Sequence, residues 1–585
     1  MGLASPQHPR PGVIGALADR FRTCNVTGYQ VYRPAERLIV ANAVSAVVLL
    51  ALGGALALLI ALTRWQGVQL LPAELYYRFT SAHGIVMLVF WVVFFEVAAL
   101  IFGATVLLNR RLPYIRLAWT YTGLMVAGAL TTTITALSGH ANNMFTAYPP
   151  LVNHPVFYLG IIVFAVGALL ACCHFIYNVW LAKREGAITN IPLVVYALLT
   201  AAIIGIWTLL HGAAAYVPTL LQSLGLIEVD AAIYRTLFWG FGHGAQQLNL
   251  AAMVAAWYAL ATLSTGARPV HEGLSRFAFV LYLVGINMGA MHHLLVDPGP
   301  GVHTRIFNTS YFMYAALLGS LIHAFSIPAA IETAQRARGY VGGLFEWVRK
   351  GPWKEPGFSA LMISFIGFGF IAGVSGVLMG VMQLNMLIHN TLFVPGHFHG
   401  TVVLGTTVAF MGLAYYVVPL VTRRDLAFMR LARWQPYIYG GGLLVLIAGL
   451  MLAGRMGASR RMWDMSFSFS PISVDTYTTP AMYFATSIIG LGAILAVAGG
   501  ALFVLIMVAT VFFGKRSDSP AVGHLGILKG EDGPESSVEI PEHDHAKGGF
   551  QAPGTVALAF IFLGWFVLMF LIAFFNLARV GWGVG

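Results

Sequence analysis

Val394-Pro395-Gly396-His397-Phe398-His399-Gly400 opens a long apolar run. Two histidines this close inside a membrane helix are costly without partners, and ionisable residues at such depth mark function. At about 100° per residue, His397 and His399 project roughly 200° apart. They face opposite sides of their helix and serve two different groups. The rest of the chain indicates which.

The setting is a membrane. Of 585 residues, 58% are hydrophobic and 9% charged, against about 25% charged in an ordinary soluble domain; mean hydropathy is +0.78. The net charge of +11 sits in short loops between apolar runs, so no nucleic-acid partner is expected. Three cysteines, Cys24, Cys172 and Cys173, form no C-x-x-C pair and no disulfide framework. The polar, basic front has no signal-peptide pattern.

Thirteen apolar runs are long enough to cross a bilayer: 36–63, 79–108, 117–137, 155–182, 191–217, 232–264, 273–297, 304–333, 357–388, 393–422, 434–454, 480–513 and 553–577. The fold class expected is an all-α polytopic membrane protein with about thirteen spans. Its parts are an N-terminal arm (1–35), a twelve-helix core (36–513), a polar loop (514–552) and a last span with the C-terminus (553–585). The loop's His543-Asp544-His545 reads as solvated rather than metal-binding. Lys and Arg crowd the arm and alternate loops, as at Arg110, Arg111, Lys183, Arg184, Arg336, Arg338, Arg423 and Arg424. That bias puts the N-terminus in the cytoplasm, in a multi-pass bacterial or archaeal inner membrane. Arg455, Arg460 and Arg461 break the pattern on the outside and ask for a local anion.

With that orientation, His83 lies near the outer start of span two, His292 and His293 near the outer end of span seven, and His397 and His399 near the outer start of span ten. His243 is deeper, roughly 16 Å into span six. Six histidines from four spans share the outer half of the membrane. A transporter with incidental histidines does not explain one common level. Neutral imidazole is a ligand for iron and copper. His243, His292 and His293 suit one non-haem ion. His83 and one of the span-ten pair suit a six-coordinate haem, and the other a second haem with an open face toward that ion. Arg460 and Arg461 then meet haem propionates.

These motifs resemble the haem–copper oxidase superfamily, catalytic subunit I, over 36–577. They are Ala82-His83-Gly84, Gly242-His243, His292-His293 with Asp297-Pro298-Gly299, His397-Phe398-His399, Arg460-Arg461, and Tyr148-Pro149-Pro150-Leu151 with His154-Pro155. The thirteen spans and the histidine-pair stretch look closest to the B-type oxidases. The resemblance implies that His83 and His399 ligate a low-spin haem and His397 a high-spin haem, while His243, His292 and His293 hold the non-haem metal. It also implies a separate electron-donating subunit II of dicopper or haem-c type, and cytochrome c. The chain itself has no haem-c motif.

One position departs from the family. Most A- and B-type oxidases carry a cross-linked tyrosine four residues after the span-six histidine; here that position holds Gln247, on the same helix face as His243. The C-type tyrosine position in span seven holds Asn287, and Tyr282 lies ten residues before His292. Glutamine can hydrogen-bond but supplies neither an electron nor a proton. Coupling two NO molecules needs two electrons, which two reduced metals can supply. The chain thus resembles a nitric oxide reductase branch of the superfamily that lacks the cross-linked tyrosine, which implies NO reduction to N2O and water, with Gln247 orienting bound NO beside His243, His292 and His293. Oxygen reduction by a cytochrome c oxidase, with a donor such as Tyr282, is the alternative. Three imidazoles without a carboxylate favour copper over iron.

Thr309, Ser310, Tyr311, Tyr314 and Ser320 on span eight, with Glu96 mid-membrane on span two, are the candidate proton route. Asp297 and His303 suit an exit near the propionates. His211 and His323 are read as structural.

Overall fold

In a bilayer every backbone N–H and C=O must be satisfied within the chain, so long apolar runs become helices. The computed structural model describes residues 20–23, 30–141, 143–144, 146–286, 290–463, 479–517 and 552–579. Among them, eleven helices are long and apolar enough to cross a membrane: Arg33–Arg64, Ala73–Leu107, Pro155–Arg184, Leu193–Ser223, Ala231–Thr265, Val302–Ala337, Pro356–Gly380, Phe393–Thr422, Met429–Arg455, Pro480–Phe513 and Pro553–Ala578. Two more helices, Ile115–Leu137 and Glu272–Ile286, stand at the third and seventh expected spans. The third is rich in threonine, whose hydroxyls fold back on their own helix: Thr122 on the Ala118 carbonyl, Thr132 on Gly128 and Thr135 on Thr131. The chain is an all-α polytopic membrane protein.

The α-helix of span seven is described over Glu272–Ile286, residues 287–289, Asn287 among them, lie outside the described residues, and Met291–Leu294 form a 3-10 turn carrying both His292 and His293. Span nine is shorter than 357–388. It ends at Gly380, Val381 is extended, and Met382–Ile388 form a separate short helix. The front arm contributes one small hairpin, Phe21–Thr23 against Gln30–Tyr32. Cys24, His543, Asp544, His545 and nearly all of the 514–552 loop lie outside the described residues.

Spans pack through glycines. A Cβ on Gly128 would lie 2.4 Å from the Phe164 backbone nitrogen, joining spans three and four. Gly442 and Gly492 would meet Ala496 and Leu446 backbone atoms at 2.3 Å, joining spans eleven and twelve. Small residues at such crossings let van der Waals contact replace the missing hydrophobic drive. Span ten changes from α-helix (Phe393–Phe398) to a nine-residue π-helix (His399–Thr407), and faces a second π segment, Phe368–Gly373, in span nine. π segments recur where a helix must aim functional side chains. The change falls between the two histidines of span ten.

Candidate metal centre

Span six begins at Asp230, whose side chain accepts from the Ile233 backbone N–H at 2.8 Å and caps the helix. Gly240 and Gly244 bracket His243 and leave room for His211 and Thr208 of span five. The 3-10 turn of span seven then delivers its two histidines to the same place. His243 Nδ1 lies 2.9 Å from His293 Nε2. Ring centroids are 4.1 Å apart for His243–His292, 5.0 Å for His243–His293 and 4.4 Å for His292–His293. One nitrogen from each of the three falls within 4.8 Å of the others. A tetrahedral ion with bonds of about 2.05 Å sets its ligand nitrogens about 3.3 Å apart, so this donor set fits one transition metal. Trp239, one turn before His243, stacks on the His293 ring at 3.7 Å. Gln247, one turn after it, places its amide 2.6 Å from His243 Nε2.

The other three histidines share a pattern. His83 Nδ1 lies 2.9 Å from the Gly53 carbonyl of span one, and His399 Nδ1 lies 2.7 Å from the Pro395 carbonyl one turn back. His397 Nδ1 lies 3.0 Å from Ser375 Oγ of span nine. A ring whose Nδ1–H is given to an acceptor presents Nε2 as its lone pair, the arrangement a haem iron requires. His83 is an electrostatic neighbour of His399, and His397 of His243 and His293. Gly376 makes room for His397: a Cβ there would lie 2.9 Å from the imidazole Cε1. These residues fit the two-haem, one-metal set.

Arg460 and Arg461 stand beside this cluster with Arg235, a residue sequence reasoning missed. Arg235 lies 4.6 Å and Arg461 5.9 Å from the Tyr148 ring centre. Burial, with the adjacent Arg461 charge, pushes Arg460 down to about 9. Arg64 donates to the Arg460 carbonyl, and Arg235 pairs with Asp297 at 3.2 Å. Tyr148, Arg235, Trp239, His292, His293 and Arg460 line one pocket. Converging guanidiniums suit carboxylates. The signal for Arg235 was its place two turns before His243 on one helix.

A family model described as cytochrome c and quinol oxidase polypeptide I matches residues 37–494. The chain belongs to the haem–copper oxidase subunit I family. It is similar to cytochrome c oxidase subunit 1 of Thermus thermophilus, with 30% identity over 402 residues, covering 68% of this chain and 70% of that one. It also resembles quinol oxidase subunit 1 of Sulfolobus acidocaldarius, 24% identical over 58% of this chain and 63% of that one. A haem–copper terminal oxidase dimer solved by cryo-electron microscopy superimposes with TM-score 0.78 over 93% of this chain and 91% of that one, at 24% identity. This haem–copper subunit shares that fold.

The remaining candidates are dispersed. Tyr282 Oη lies 2.9 Å from Ser320 Oγ and the ring packs on His323, ring centres 5.5 Å apart. Thr309 bonds its own helix at the Arg305 carbonyl, while Ser310, Tyr311 and Tyr314 are exposed on this chain. Glu96 is buried, and the Asn249 amide, in the orientation that satisfies both ends, donates to it at 2.9 Å. His303 is exposed, and His211 bonds the Trp207 carbonyl at 3.0 Å. A buried polar group that sequence reasoning did not assemble joins spans six, seven and eight. In it Tyr258 Oη lies 3.0 Å from both Ser275 Oγ and His323 Nδ1.

Proposed function

We propose that this haem–copper subunit reduces nitric oxide, taking two NO, two electrons and two protons to N2O and water. The observation that carries the reading is Gln247, whose amide sits against His243 Nε2 where an oxidisable side chain would be needed for four-electron chemistry. When bound, the two haems and the non-haem metal supply electrons and coordinate the gas. His83 and His399 would hold the low-spin haem, His397 the high-spin haem, and His243, His292 and His293 the metal. Three neutral imidazoles with no carboxylate among them favour copper. Arg460, Arg461 and Arg235 would anchor the propionates.

Oxygen reduction is the second reading, and the named relatives support it more directly than the first, since both are oxidases. Identity spread over 402 residues reports mainly on the framework. Substrate choice depends on the few groups at the metals, and there Gln247 favours NO. Electrons would come from a separate subunit II and cytochrome c, in a prokaryotic cytoplasmic membrane with the N-terminus inside. Purified enzyme with one reduced donor, followed by NO and oxygen electrodes in parallel, tests the assignment. Sustained NO loss with N2O formation is expected; rapid oxygen uptake with negligible NO loss would establish the second reading instead.

A further inference from the structure

We infer that Gln247 is a positioning residue for His243, holding the ring so that Nδ1 faces the His292–His293 side. The inference rests on the three-histidine metal site, not on which gas is reduced.

A neutral imidazole has one lone pair and one N–H. His243 Nδ1 stands 2.9 Å from His293 Nε2, inside the cluster. For three lone pairs to meet on one cation, Nδ1 must be bare, and the proton then resides on Nε2. That nitrogen is 2.6 Å from the Gln247 amide. Which amide end is oxygen is assigned from hydrogen bonding, so the proton on Nε2 requires the Gln247 carbonyl oxygen as its acceptor. The other tautomer, with the proton on Nδ1, would aim an N–H at His293, whose nitrogen is needed for the ion. The i,i+4 spacing on span six makes the contact local and rigid. Gln247 Oε1, as placed, is buried without a hydrogen-bond partner, and exchanging the two amide ends brings that oxygen onto His243. An uncharged acceptor fixes the tautomer without drawing the proton off the ring.

The test is metal retention by the purified holoprotein, titrated against a chelator, with the paramagnetic spectrum of the oxidised metal as a second readout. Gln247→Met keeps the length and removes the acceptor; it should weaken retention about 10–100-fold and alter the spectrum, with both haem bands in place. Gln247→Glu restores an acceptor and should retain metal within a few-fold of the parent. Parent-like retention in Gln247→Met, or equal loss in both variants, would overturn the inference. If Gln247→Met fails to keep its haems, Gln247→Asn, one methylene too short to reach, is read by the same criteria. Absence of NO turnover in the parent would reject the proposed substrate and leave the retention result standing.

Discussion

Ser375 Oγ lies 3.0 Å from His397 Nδ1 and, by donating to the Ala372 carbonyl at 3.1 Å, keeps a lone pair for the imidazole N–H. One hydroxyl on span nine thereby sets the direction of a histidine ring on span ten. Ser375→Ala should leave the haem bound and raise its midpoint potential, because the imidazole becomes a poorer donor. One hydrogen bond of about 1 kcal/mol corresponds to about 40 mV for one electron. Redox titration of the high-spin band measures it, and Ser375→Thr should restore the parent value.

Gly454 supports the start of span ten. A Cβ there would stand 1.9 Å from the Phe393 backbone nitrogen, which cannot rotate away. Gly454→Ala should cost at least ~1–3 kcal/mol and reduce haem content by shifting His397 and His399. Gly441→Ala, with nothing within 4 Å, is the control and should be neutral. Thermal unfolding in detergent with haem quantitation distinguishes them.

His292→Ala leaves two imidazoles in the cluster. Non-haem metal should fall at least ~10-fold, since even outer-shell partners are worth that much. Haem bands should stay at parent intensity. Elemental analysis beside the reduced-minus-oxidised spectrum reads both; loss of haem with retained metal would reassign His292.

Glu96→Gln preserves hydrogen bonding to Asn249 and removes the exchangeable proton. Folding should be unchanged and turnover several-fold slower if Glu96 holds protons for the reaction. Parent-like turnover would assign the carboxyl to packing.

Arg460 gives a pH signature. Its guanidinium is depressed to about 9 by burial and Arg461, so the unfolded chain binds the proton more tightly than the folded one. Stability of haem-free protein should therefore rise with pH above about 9 and carry the full penalty below it. Bound propionates should flatten that rise. Melting temperatures of haem-free and haem-loaded protein at pH 8 and pH 10 measure the difference.

Much of this was legible from the chain alone. The spans follow from apolar runs because a bilayer leaves the backbone no other partner. The shared level of six histidines follows from counting residues along those spans, and Gln247 from one helical turn after His243. Each is one-dimensional information about a helix. What periodicity does not report is the 3-10 turn that carries His292 and His293.

Tertiary structure decided what depends on neighbours remote in the chain. Which nitrogen of His83 faces inward is set by the Gly53 carbonyl thirty residues earlier, and for His397 by Ser375, twenty-two residues earlier. Arg235 joined Arg460 and Arg461 only through Tyr148 between them. Even His397-Phe398-His399 showed only that two histidines leave one helix in different directions. The ring tautomers of His83 and His397 are fixed by partners on other helices, and helix packing chooses those partners.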